Sequence, residues 1–124
     1  MEISAELLSL TSRRDGREAV VAVRGELDLA TAPLLEATLA KLVDDQTCSS
    51  IVIDLHDLDF MGSTGLSVLL NALNDVRARG AEITLARPSH VVTRTLQIAG
   101  LESTFTIRRD ADTDTAAGDP APAS

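Results

Sequence analysis

Apolar residues recur along this chain in two rhythms, and each rhythm predicts an element. Residues 3–10, ISAELLSL, have strand-like apolar content and run into the polar turn signal SRRDGR. Residues 18–25, EAVVAVRG, are β-branched and mostly apolar, which predicts a second strand paired to the first as a hairpin around Asp15 and Gly16. The rhythm then lengthens. In TAPLLEATLAKLVDD, Leu34, Leu35, Leu39, Leu42 and Val43 fall on one helical face, Thr31 is placed to cap the helix, and Pro33 lies in its first turn, where a missing N–H does no harm. Ile51, Val52 and Ile53 form a continuous apolar run with Leu55 beyond, the pattern of a central strand covered on both faces. A helix is predicted over 63–79, with Leu66, Leu69, Leu70, Leu73 and Val76 as its buried stripe and Gly80 ending it in a left-handed turn. AEITLAR reads as a fourth strand and TFTIR as a fifth. Between them, Pro88 and Ser89 open a third helix that points Val92, Leu96 and Ala99 inward and stops at Gly100.

The predicted order is β-β-α-β-α-β-α-β. Strands alternating with helices across short connections imply an α/β sheet with right-handed crossovers. A chain of 124 residues fits one domain, which buries roughly two-thirds of the surface its unfolded chain exposes. The expected domain runs over 1–109. From Asp110 the sequence DADTDTAAGDPAPAS has no large apolar residue, so 110–124 is expected to be a disordered acidic tail.

Composition narrows the chemistry. Aromatics make up 2% of the chain, with no Trp or Tyr, so the core is built from aliphatic side chains and stacking platforms for single-stranded nucleic acid are missing. A net charge of -8 argues against phosphate backbones and anionic membranes as partners. No apolar run approaches the ~20 residues of a membrane span, and the start MEISAELL lacks a basic signal-peptide region. The only cysteine, Cys48, has no intrachain partner for a disulfide, which fits a reducing cytoplasm. It reads as a structural thiol, at the end of the domain opposite the 62–65 turn.

The stretch DFMGSTGL, 59–66, joins the apolar run to the second helix and places Ser63 and Thr64 side by side between Gly62 and Gly65. Gly62-Ser63-Thr64-Gly65 fails the spacing of a nucleophile elbow. A triad would also need a base, and the only histidines are His56 and His90. A phosphate-binding loop needs a lysine that is absent from the turn. One Cys and two distant His give no metal-ligand spacing. No catalytic residue, metal site or cofactor is therefore expected. Two readings of the hydroxyls stand on physical grounds. Ser63 or Thr64 caps the helix, or Ser63 accepts a phosphoryl group whose charge the helix N-terminus favours.

Two motifs then carry a resemblance. RGELDLATAP, 24–33, resembles the Gly-Glu-Leu-Asp-then-helix motif of the anti-sigma factor antagonists, which are single STAS domains. IVIDLHDLDFMGSTGLSVLL, 51–70, resembles that family's apolar strand ending in Asp-Leu, its short loop and its Phe-(Ile/Met)-Asp-Ser-(Ser/Thr)-Gly-Leu turn. GLESTFTI, 100–107, resembles the family's ending, so the match covers nearly all of the expected domain. The resemblance implies the STAS fold: a mixed, mostly parallel sheet with an antiparallel first strand and helices mainly on one face. It implies phosphorylation at Ser63, with Thr64 as second candidate, by an ATP-binding serine kinase that is also the anti-sigma factor. It implies a serine phosphatase as a further partner and a cytoplasmic regulator that frees a sigma factor when dephosphorylated. Gly62 departs from the family's Asp and removes a carboxylate beside the acceptor, which bears on kinase recognition.

The second predicted helix adds a hint of its own. Ser63, Ser67, Asn71 and Asn74 form a polar, largely uncharged strip away from the leucines. With Gly62, Thr64 and Gly65 at the turn, and Glu26 and Asp28 flanking it, this strip is the expected partner-binding surface. It reads equally as a solvated face, and Glu26 and Asp28 read equally as solvent-facing turn acids. A different class of function also stands: a STAS scaffold or transport-accessory subunit with no sigma-factor role.

Overall fold

The structure, a computed structural model, describes residues 2–4 and 6–109. The elements run β1 (Glu2–Ser4), β2 (Leu8–Asp15), β3 (Glu18–Leu27), α1 (Ala32–Val43), β4 (Ser50–Asp54), β5 (Leu58–Met61), α2 (Ser63–Ala78), β6 (Glu82–Ala86), α3 (His90–Ala99) and β7 (Thr106–Arg108). The expected tail, 110–124, lies outside the described residues. The sheet order is β1-β2-β3-β4-β6-β7, with β5 pairing β3. β1, β2 and β3 are antiparallel to one another in turn. The remaining ladders are parallel. This is the α/β architecture expected, with two additional strands.

The first apolar segment is two strands rather than one. β2 continues through the polar SRRD because each residue pairs with β3, down to Asp15 opposite Glu18. That leaves Gly16 and Arg17 as a two-residue turn, with Gly16 at φ +64°. β5 lies in the stretch that joins the apolar run to the second helix, where the sequence predicts no strand. Its residues bury only the two ends, Leu58 and Met61, so it carries no alternation. It is a strand because β3, having left β4, pairs Gly25, Glu26 and Leu27 with Leu58, Phe60 and Met61.

The crossovers from β3 to β4, β4 to β6 and β6 to β7 all step the same way across the sheet. Right-handed connections therefore set the three helices on one face. Leu10, Val21, Val23, Ile51, Ile53, Ile83 and Leu85 line that face and join Leu35, Leu39, Leu69, Leu73, Val92 and Leu96 in one core. Val52 is also buried, on the opposite face between Val20 and Thr84, and lies outside this core.

Helix details depart locally from the apolar stripes. In α1, Leu35 and Leu39 are buried while Leu34, Leu42 and Val43 are half-buried. In α2 the buried stripe is Gly65, Val68, Leu69, Ala72, Leu73 and Val76, and Leu66 and Leu70 sit at its margin. Gly65 belongs to this stripe because Leu27 and Met61 leave no room for a Cβ there. Ala99 in α3 is exposed rather than inward. Ser89 caps α3 by accepting from the Val92 N–H, and Gly80 and Gly100 take the left-handed conformations expected of helix stops. Arg79 at the end of α2 donates to the Val43 carbonyl at 2.7 Å and to Leu42 at 3.2 Å, closing the C-terminus of α1. Cys48 is buried ahead of β4, its Sγ 3.5 Å from the Ser50 carbonyl.

Far from the second helix turn, Arg14 of β2 donates to Asp45 at 2.8 Å and to the Thr47 hydroxyl at 3.1 Å. The Thr47 hydroxyl and N–H donate to the same Asp45 carboxylate, and with Arg14 they hold it at about 2, below its ordinary 3.8. A depressed folded-state value stabilises the fold above the ordinary pKa, and that part is lost as pH falls. Asp45→Asn should therefore lower the urea midpoint at neutral pH. The gap from wild type should close as pH falls from 3.8 toward 2. A gap that is constant with pH would show that the carboxylate charge is not what joins the hairpin to this loop.

Candidate functional site

The expected site forms where β5 runs into α2. Gly62 is extended, at φ -90° and ψ -179°, and its N–H donates to the Leu27 carbonyl at 3.0 Å. Gly62 occupies the N-cap position and α2 has no side-chain cap. Ser63 and Thr64 therefore sit inside the first turn, and the capping reading of these hydroxyls is removed. Ser63 is exposed and its hydroxyl has no hydrogen bond among the described residues, while Thr64 is half-buried. The first-turn N–H groups and the helix dipole favour negative charge at this end.

Gly65 lets the turn sit close against the sheet. A Cβ built there would lie 2.6 and 2.7 Å from Leu27 Cγ and Cδ2 and 3.3 Å from Met61 Cγ. The helix start is thus seated directly on β3 and β5. Gly65→Ala should cost about 1–3 kcal/mol by overpacking, measured by chemical denaturation. In a Leu27→Ala background the same substitution should cost much less, and equal penalties in both backgrounds would rule out this contact as the cause. Gly62 differs in kind. A Cβ there would meet only the Phe60 ring, at 3.5 Å, in ordinary contact. Its backbone is open to any residue, so the family's Asp would fit in the space Gly62 leaves.

Leu27 ties a second turn to the first. Asp28 follows it, and its Oδ1 accepts from the N–H groups of Ala30 at 3.0 Å and Thr31 at 3.2 Å. Thr31 does not cap α1 through its side chain. Its hydroxyl donates to the Glu26 carbonyl at 2.8 Å and accepts from the Asp28 N–H at 2.9 Å. Asp28 therefore shapes this turn, while Glu26 keeps a half-buried side chain beside it. Two residues absent from the expected surface stand out here: Leu29 is 77% exposed and Phe60 48%. Phe60 is the register partner of Glu26. In sequence Leu29 lies in a strand-to-helix turn and Phe60 in an apparent loop, and no apolar rhythm marks either as exposed.

The polar strip holds together: Ser63, Ser67, Asn71 and Asn74 are all exposed on α2. His56, the histidine nearest in sequence, places Nδ1 3.1 Å from Asp57 and makes no hydrogen bond to Ser63. No helix among the described residues is long and apolar enough to cross a membrane.

The STAS domain family model matches residues 9–113. The chain belongs to the STAS domain family. The anti-sigma-F factor antagonist RsfB of Mycobacterium tuberculosis is 33% identical over 87 residues, covering 70% of each chain. An anti-sigma-B factor antagonist of Listeria monocytogenes is 34% identical over 110 residues, 87% of this chain and 90% of the relative. Among solved structures, an anti-sigma factor antagonist from Mycobacterium paratuberculosis superposes with a TM-score of 0.79 at 28% identity, covering 93% of this chain and 97% of that one. The resemblance seen in 24–33 and 51–70 is thus to the family the chain belongs to. In this STAS domain the second of those segments is β4, β5 and the first half of α2.

Proposed function

We propose that this STAS domain is an anti-sigma factor antagonist. In its unmodified form it binds an anti-sigma factor and thereby frees a sigma factor. Phosphorylation of Ser63 by that ATP-binding partner kinase switches it off, and a serine phosphatase restores it. ATP is the partner's nucleotide, and the chain performs no catalysis of its own. Its place of action is the cytoplasm. The binding surface comprises Gly62, Ser63, Thr64, Gly65, Ser67, Asn71 and Asn74, with Glu26 and Asp28 beside them and with Leu29 and Phe60 as apolar contacts. The observation that carries this reading is Ser63 itself, an exposed hydroxyl with no hydrogen bond among the described residues, at a helix start without a side-chain cap. The names of the curated relatives support the sigma-factor side of it.

The test is reconstitution. The unmodified chain is mixed with a preformed complex of sigma factor and anti-sigma factor from its own organism, and the free sigma factor is measured by gel filtration. Release that stops once Ser63 is phosphorylated is the expected result. No complex with any ATP-binding anti-sigma factor, together with stable association with transporter subunits, would replace this reading with the scaffold one.

A further inference from the structure

We infer that the furrow between α1 and α2 receives a long cationic side chain, an arginine or a lysine, from the protein partner. The inference rests on the antagonist reading above and specifies the chemistry of that partner. The furrow has a volume of about 120 Å³ and adjoins the polar strip, with which it shares Asn71. Its floor is apolar, formed by Leu39, Val68 and Ala72, which are 1%, 8% and 6% exposed. Ala40 is exposed on the α1 side, and each helix contributes one carboxylate to the lining, Glu36 from α1 and Asp75 from α2. Neither carboxylate has a hydrogen bond or ion pair among the described residues.

A methylene stem covers an apolar floor while its charged head meets carboxylates. A purely apolar group would desolvate the two acids without pairing them, and an acidic one would be repelled. A guanidinium suits the furrow best, because its planar fork presents several donors at once to a carboxylate. A net charge of -8 on the whole chain favours a basic over an acidic side chain at the furrow.

The experiment has two arms. In the first, affinity for the cognate anti-sigma factor is measured with the full chain, its Glu36→Gln/Asp75→Asn double variant, and Ala40→Trp, which fills the furrow without touching charge. All three positions are exposed, and unchanged melting verifies the fold. Both variants should bind about tenfold or more weakly, and the double variant should lose part of the salt dependence. Wild-type affinity in the double variant at low salt overturns the inference. In the second arm, acetyl-Ala-Arg-Ala-amide and its citrulline counterpart are titrated into the chain. NMR follows the methyls of Ala40, Val68 and Ala72. Shifts with the arginine peptide alone, abolished in the double variant, support the furrow, and their absence overturns it. If the chain binds no anti-sigma factor, the antagonist reading fails, and the peptide arm still decides the furrow.

Discussion

Ser63→Glu should bind the anti-sigma factor about 150-fold more weakly than the unmodified chain and melt at the same temperature. A phosphoryl group on Ser63 brings about -1.5 to -2 charges and three acceptor oxygens. The uncapped start of α2 stabilises such a charge, but at an exposed position by only ~0.3–1 kcal/mol. Covering it where the partner places no counter-charge against the start of α2 costs several kcal/mol. A net penalty of ~3 kcal/mol corresponds to about 150-fold in the dissociation constant. The fold should be indifferent because the Ser63 hydroxyl has no hydrogen bond among the described residues and the new charge lies where a helix accepts one. Ser63→Ala should bind like the unmodified protein and no longer respond to the kinase. Thr64→Ala should remain a kinase substrate, since Thr64 is half-buried and less reachable. Calorimetric titration beside thermal melting separates the two quantities. Full-strength binding by Ser63→Glu would mean that Gly62 marks a chain regulated by other means.

Gly25→Ala should be among the most damaging substitutions, at roughly 3 kcal/mol or more. Two costs combine. Gly25 has φ +102°, a conformation side-chain-bearing residues rarely adopt, and holding one there costs ~1–3 kcal/mol. A Cβ at Gly25 would also collide with the Leu7 carbonyl, its carbon only 3.2 Å away. Overpacking of that kind costs a further ~1–3 kcal/mol. The neighbour cannot easily give, because the Leu7 oxygen already accepts the Glu26 N–H at 2.8 Å. Against a total stability of ~5–15 kcal/mol, the loss is large. The melting temperature should fall by about 10 °C or more. Partner binding should suffer too, because Gly25 is where β3 shifts register to meet β5, just ahead of Glu26 and Leu27. A variant melting within about 2 °C of wild type would show that the Leu7 segment moves aside.

The start of α2 at Ser63, the stops at Gly80 and Gly100, the Ser89 cap and the Gly16 hairpin turn were all legible in the chain. Each depends on residues within a turn or two of one another, where glycine conformations, hydroxyl caps and a 3.6-residue rhythm leave a local mark. The exposed strip from Ser63 to Asn74 was legible for the same reason. The two motifs at 24–33 and 51–70 went further and named the family.

What stayed hidden depends on partners distant in sequence. β5 is a strand because β3 has a free edge to offer, and LDFM alone has no alternation to announce it. Gly65 is required because Leu27, nearly forty positions earlier, occupies the space its Cβ would need. Asp28 and Thr31 look like a surface acid and a helix cap, yet each is drawn into closing the turn after β3. The furrow with Glu36 and Asp75 on its rims exists only once α1 and α2 are set side by side. Local periodicity specifies elements and their ends, because it is written in neighbouring residues. Which hydroxyl is exposed, which glycine is crowded and which carboxylates line a common furrow follow from strand pairing and helix packing, whose energies arise between segments far apart in the chain.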